Sequence, residues 1–194
     1  KIHEYLFPYL SPEKYFNDFV HHYGYVYKND EERKKHSERN IKPLIEMMDE
    51  EPENPRWCSQ LAQEYFAVER FKETVEVCEK GLARWNWIQI RKFRMESCVG
   101  AICGLLLLSL EFLKEYEKEK NKLKEIFEKF DMPDATLAFF HYLGIRLYTK
   151  KEESEKCREH IRKYIDYYQK LKDDPETVAR QTDLITSSVF QDRL

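Results

Sequence analysis

The hydrophobic positions of this chain fall into two regimes that meet near residue 30. From there onward, apolar side chains return every three or four positions, the spacing that gathers them on one face of an α-helix. Ile41, Leu44, Ile45 and Met48 form the first stripe, Trp57, Leu61 and Tyr65 the second, and Phe71, Val75, Cys78 and Leu82 the third. Asn29-Asp30 offers an N-cap, with Glu31 and Glu32 favourably placed in the first turn. Pro43 lacks the N–H an interior helix residue donates, so it predicts a kink near Arg39 or a second start capped by Asn40. Glu51-Pro52-Glu53-Asn54-Pro55 breaks the pattern, and Asn54-Pro55 reads as an N-cap followed by a proline at the first helical position.

Two further helix pairs follow, over about 90–110 with 111–130 and 134–149 with 152–172. The run Val99–Leu108 is apolar on every side, which predicts the most buried element of the molecule. Phe112, Tyr116, Leu123, Phe127 and Phe130 face inward, against a Lys/Glu face over Glu115–Lys129 that reads as solvated. Cys157, Ile161, Tyr164, Tyr168 and Leu171 make the stripe of the last long helix. Asp174-Pro175-Glu176 caps a closing helix with Val178, Ile185 and Val189, expected to seal the open end of the stack.

The pair spanning 56–84 has the pattern of a tetratricopeptide unit, two helices in about 34 residues with small residues where they cross. With Leu61 at the seventh position, Ala62 takes the small eighth and Tyr65 the eleventh, and Phe71, Thr74, Cys78, Gly81 and Leu82 fall near the later ones. Leu143-Gly144 take the seventh and eighth positions of the third pair. The expected fold is all-α: tetratricopeptide-like antiparallel helix pairs forming an α-solenoid over 29–194, preceded by a short extended segment over 1–28.

Composition agrees. Five glycines and seven prolines in 194 residues leave little for the turns of an all-β fold, while 36% charged residues beside 13 Tyr and 12 Phe suit amphipathic helices. The formal net charge of −3 provides no basic field for nucleic acid. Cys58, Cys78, Cys98, Cys103 and Cys157 are odd in number and widely spaced, so they read as small hydrophobes in a reducing, cytoplasmic setting. Cys98–Leu110, the longest apolar stretch, falls short of the roughly 20 residues that span a bilayer.

The helical part shows no phosphate loop, H-E-x-x-H or nucleophile elbow. Gly100 and Gly104 read as a close helix crossing, and His141 and His160 as lone structural or exposed histidines. Trp57 reads as core. Trp85 and Trp87, with Arg91 and Arg94 nearby, are either packing between helix pairs or a binding patch, since aromatics beside arginines make good anchors. The first segment differs from the rest: His3-Glu4 and His21-His22 concentrate imidazole and carboxylate in short apolar-aromatic runs. Such groups can ligate metals or move protons, although their spacing matches no zinc motif. Its apolar residues Tyr5, Leu6, Phe7, Tyr9 and Leu10 are expected to pack on the first helices or across a dimer interface.

Ile2-His3-Glu4, then His22-Tyr23-Gly24-Tyr25, then Arg39-Asn40 and a helical array together resemble the C-terminal part of bacterial family 2 glycosyltransferases. There a GT-A catalytic domain precedes a tetratricopeptide region, as in the peptide S-glycosyltransferases of bacteriocin biosynthesis. The motifs cover about residues 1–45, and Lys1 stands where the family has arginine. The resemblance implies that 1–28 is the tail of a catalytic domain, with His3, Glu4 and His22 at the edge of the donor site and His22 near the metal. The nucleotide-sugar fold, its D-x-D motif and a divalent Mn or Mg ion would belong to the parent enzyme; the chain itself would need no cofactor. The expected function is then a non-catalytic accessory domain that binds a protein or peptide acceptor, or dimerises. A stand-alone tetratricopeptide adaptor unrelated to sugar transfer is the alternative, and a small metalloenzyme built on the N-terminal histidines the third reading. The opening at Lys1 without Met reads as a boundary inside a longer protein.

Overall fold

The computed structural model describes residues 29–85, 90 and 95–182. Among these there are eight helices and no strand: α1 (Asp30–Glu50), α2 (Pro55–Ala67), α3 (Phe71–Arg84), α4 (Glu96–Phe112), α5 (Tyr116–Lys129), α6 (Asp134–Lys150), α7 (Ser154–Leu171) and α8 (Pro175–Gln181). The fold of the described residues is all-α. The extended segment expected over 1–28, Trp87, Arg91 and Arg94 of the handover between helix pairs, and Ile185 and Val189 lie outside them.

The polar starts act as read from the sequence. Asn29 Oδ1 accepts from Glu32 N at 2.8 Å, Asn54 Oδ1 from Arg56 N at 3.1 Å, and Asp174 Oδ1 from Thr177 N at 3.0 Å. Pro43 does not divide α1, which runs unbroken from Asp30 to Glu50. One lost hydrogen bond is absorbed because Ile41, Leu44, Met47 and Met48 on either side bury one face against the core.

α2–α3, α4–α5 and α6–α7 are hairpins closed by the same turn. In each, one residue adopts a left-handed φ: Glu69 at 63°, Lys114 at 61° and Glu152 at 58°. The N–H of that residue donates to the carbonyl three residues back: Glu69 to Phe66, Lys114 to Glu111, Glu152 to Thr149. The next N–H reaches five back: Arg70 to Tyr65, Glu115 to Leu110, Glu153 to Tyr148. This is the two-bond Schellman closure, which satisfies carbonyls that a helix end would leave unpaired. It reverses the chain within three residues, so each pair runs antiparallel. In α2–α3 the Cys58 thiol meets the Val77 carbonyl at 3.4 Å, and in α6–α7 Asp134 near the start pairs with Lys170 near the end.

The hairpins pack in chain order. The first helices touch in sequence, α2 on α4 and α4 on α6, while α3 also lies on α4 and α5 on α6. α1 covers α2, and α8 rests on α6 and α7. α4 is the shared centre: from Val99 to Glu111 every residue is buried except the half-buried Leu108, as its all-round apolar sequence predicts. Gly100 and Gly104 are the crossing point with α6, since a Cβ on them would lie 2.8 Å from Thr136 Cγ2 and 2.7 Å from Phe139 Cε1.

The third hairpin is shifted from the register expected for it. Counted back eight residues from the turn residue, Leu61, Leu106 and Gly144 are equivalent, so Gly144 stands at the seventh position and not the eighth. A Cβ at Gly144 would overlap the His160 imidazole; the small residue serves the contact inside its own hairpin.

Candidate functional site

Of the seven residues singled out from the sequence, Trp85 is described and the other six, His3, Glu4, His22, Trp87, Arg91 and Arg94, lie outside the described residues. Trp85 is a packing residue. It is 9% exposed, its six-membered ring covers Gly81, and its indole N–H donates to the Pro52 carbonyl at 3.4 Å. Its indole fills the gap between the end of α3 and the α1–α2 connection, which is the packing alternative for that residue. Trp57 is likewise core, with its indole N–H donating to Glu51 Oε2 at 2.7 Å.

The polar chemistry gathers instead where α4, α5 and α6 meet. Glu111, 5% exposed near the end of α4, accepts through Oε1 from Arg146 Nη2 at 2.8 Å and from Lys150 Nζ, both on α6. Glu119 on α5 is 2% exposed. One oxygen of each carboxyl, Glu111 Oε2 and Glu119 Oε2, is buried without a hydrogen-bond partner. Burial, and then the neighbouring Glu111 carboxylate, push the Glu119 carboxyl up to about 7 despite the opposing charges of Lys150 and Arg146. Glu119 holds the place, five residues after the turn, that Thr74 and Cys157 hold in the other hairpins. Read as part of a solvated face, Glu115–Lys129 is partly internal. Besides buried Glu119, Lys118 pairs with Glu79 of α3 and Lys120 with Glu153 in the turn before α7, while Lys124–Glu128 is the expected i, i+4 pair.

Aromatic rings continue this cluster in both directions. The Arg146 guanidinium lies 5.8 Å from the Tyr142 ring centre and the Lys150 ammonium 5.8 Å from that of Tyr116, distances at which cations are drawn to a ring face. Tyr142 meets Tyr164 of α7 at 6.2 Å. On the other side Phe112, next to Glu111, is 55% exposed. It stacks on Phe71 at 4.7 Å with rings 3° from parallel, and Phe66 packs edge-on against both. The sequence placed Phe112 in an inward stripe; as the last residue of α4, its ring instead leaves the core at the turn.

His141 and His160 are not lone. Their Nδ1 atoms lie 3.0 Å apart, so one imidazole donates and the other accepts. Phe127, Tyr148 and Tyr167 surround the pair. Burial first, then the neighbouring His160 and Lys163, lower His141 to about 4; burial lowers His160 as well. Both rings are therefore neutral at pH 7. Among the described residues no group of three or more His, Cys, Asp or Glu is arranged to hold a metal ion. The Cys58 thiol is pushed up to about 12 by burial, with Cys78 and Cys103 raised for the same reason, which makes them poor nucleophiles.

The Glu111–Glu119–Arg146–Lys150 cluster was missed in the sequence because its members come from three helices. The available signal was Glu111 between Leu110 and Phe112 at the end of an otherwise apolar run. No helix among the described residues is long and apolar enough to cross a membrane. Comparison with known proteins adds no relative: no family model, no curated protein and no solved structure matches this chain.

Proposed function

We propose that the stacked hairpins are a protein-binding domain, the tetratricopeptide-like accessory region of a family 2 glycosyltransferase, which holds a polypeptide acceptor and carries out no transfer itself. The observation behind the binding reading is the band from Phe66, Phe71 and Phe112 through Glu111 to Arg146, Lys150 and Tyr142. An exposed aromatic anchor beside fixed cations suits an extended peptide with apolar and acidic positions. The transferase affiliation is supported by the residue resemblance over Ile2–Asn40. In that parent enzyme a divalent Mn or Mg ion and the nucleotide sugar would sit in the catalytic domain, with His3, Glu4 and His22 at its edge.

Two measurements test this. Phe112→Ser should weaken binding to an array of acidic-aromatic peptides about tenfold with helix content unchanged, because the ring is exposed; equal binding by the variant removes the band from the reading. Calorimetry with UDP-sugars and Mn²⁺ should show binding by a chain extended upstream by a catalytic domain and none by residues 1–194. Binding by the shorter chain overturns the non-catalytic assignment. Binding by neither, with peptide binding intact, leaves the stand-alone adaptor.

A further inference from the structure

The third hairpin gives up a side chain to seat a nitrogen atom. A Cβ on Gly144 of α6 would fall on the Nδ1 edge of the His160 ring, so glycine is what admits that ring from α7. His141, three residues before Gly144, meets His160 Nδ1 to Nδ1 at 3.0 Å. Aromatic rings enclose the pair: Phe127 lies 4.8 Å and Tyr167 5.7 Å from the His141 ring, and Tyr148 5.2 Å from that of His160, centre to centre. Neither Nε2 atom is among the buried polar atoms left without a partner, so each can keep its proton on the solvent side. With both protons on Nε2, the two Nδ1 lone pairs are turned on a common point and only a cation satisfies both.

We propose that His141 and His160 form a metal site, which takes one divalent ion of the zinc, nickel and copper class on its two Nδ1 atoms and completes the coordination with water. The spacing carries the argument. With metal–nitrogen bonds of about 2.0–2.1 Å, two nitrogens on one ion lie about 2.8–3.0 Å apart at right angles and about 3.3–3.4 Å apart in a tetrahedron. Across a linear two-coordinate ion they would lie about 4 Å apart on the same bond lengths. The observed 3.0 Å fits the right-angled edge, falls a few tenths short of the tetrahedral one, and does not fit a linear site. The donor set selects the class, because imidazole suits zinc, copper and nickel while magnesium and calcium take oxygen ligands. Both rings are neutral at pH 7, the form that ligates. On binding, the ring that donated its Nδ1 proton carries it on Nε2 instead, so both rings stay neutral and no proton is released. The Cys157 thiol, three residues before His160, faces Thr149 and the Ile145 carbonyl, which leaves the protein supplying two ligands. The charge of Lys163 opposes a cation at His141 and that of Glu159 favours one at His160. Affinity is therefore modest, and the effect of the ion is to tie α6 to α7. The site uses none of the Phe112–Arg146 band and needs no transferase parent, so it stands or fails apart from both.

The test is a titration of chelator-treated residues 1–194 with zinc chloride from about 1 µM to about 1 mM, with magnesium chloride as the oxygen-preferring control. His3, His21 and His22 lie outside the described residues and are competing imidazoles, so the readout has to be specific to the pair. Ring-nitrogen NMR at neutral pH provides it. As zinc is added, and not magnesium, His141 and His160 should pass from one Nδ1–H and one Nε2–H tautomer to two Nε2–H rings. His160→Gln keeps a polar side chain but removes the ligand nitrogen; it should weaken zinc binding at least about tenfold and abolish the zinc-induced rise in the urea midpoint. Should His160→Gln fail to fold, the ring-nitrogen spectra of the unaltered protein carry the test. Spectra of the pair that do not change up to the highest zinc concentration, or a midpoint rise as large in folded His160→Gln as in the parent, overturn the proposal.

Discussion

Gly144 poses the sharpest competition between backbone and packing. Glycine inside a helix ordinarily costs about 1 kcal/mol relative to alanine, so Gly144→Ala on α6 would normally stabilise. Here the added methyl meets the His160 ring, which is held by His141 and by the aromatic rings around it and cannot swing away as a long flexible chain would. Overpacking of this kind costs about 1–3 kcal/mol, which exceeds the propensity gain. Gly144→Ala should therefore lower the midpoint of urea unfolding, and a raised midpoint would show that the histidine contact yields freely. Neither this contact nor the carboxylate cluster could be read from the sequence. His141 and His160 are placed in register by the turn at Glu152, and Glu111 meets Arg146 because of where α4 crosses α6. Periodicity names the face on which a residue lies; which partner Glu111 meets depends on the crossing with α6 at Gly100 and Gly104, about two to three turns before it on α4, and periodicity does not say which helix crosses there.

The three turns raise a related question for whole elements, since all place a charged residue where glycine is usual. A non-glycine residue in the left-handed region carries a cost of about 1–2 kcal/mol from its Cβ. Lys114 is the cleanest position to relieve, being exposed between α4 and α5. Lys114→Gly should stabilise the protein by about 0.5–1 kcal/mol, the steric relief being partly offset by the freer unfolded chain. Chemical denaturation with a shifted midpoint and an unchanged slope would show it; a destabilised variant would mean that the lysine makes a contribution outweighing its backbone strain. The same feature explains which element boundaries were legible. Starts with Asn29, Asn54 and Asp174 announce themselves through polar caps. The α4–α5 turn has no glycine or asparagine to mark it, so periodicity alone placed the boundary at 110/111, whereas α4 continues to Phe112 and α5 begins at Tyr116.

At the scale of the molecule, two buried titrating sites set opposing responses to pH. Glu119, raised from an ordinary 4.5 to about 7, binds its proton more tightly folded than unfolded. Its stabilising contribution is complete below pH 4.5 and is lost as pH rises through 7. His141, lowered from 6.5 to about 4, does the reverse: the unfolded chain takes up the proton first, so stability is lost as pH falls below 6.5. Between about pH 4.5 and 6.5 the two slopes oppose each other, each at most about 1.4 kcal/mol per pH unit. The lowered His160 adds to the histidine side, while the carboxylates held low by ion pairs, such as Glu153 at about 2, act at more acid pH. The protein should thus show a shallow stability profile across that window despite burying both kinds of group. Glu119→Gln removes one arm. It keeps the shape of the protonated carboxyl, so the variant should be more stable than the parent at pH 8, where the parent must bury a charge, and its stability should climb steeply from pH 4.5 to 6.5 because the histidine pair is then unopposed. His141→Phe removes the other arm, and its stability should fall as pH rises from 4.5 through 7. Urea denaturation at half-unit pH steps for the three proteins distinguishes the cases: if Glu119→Gln leaves the slope of the profile unchanged, Glu119 does not hold its proton at neutral pH, and the buried carboxyl cluster is ionised throughout.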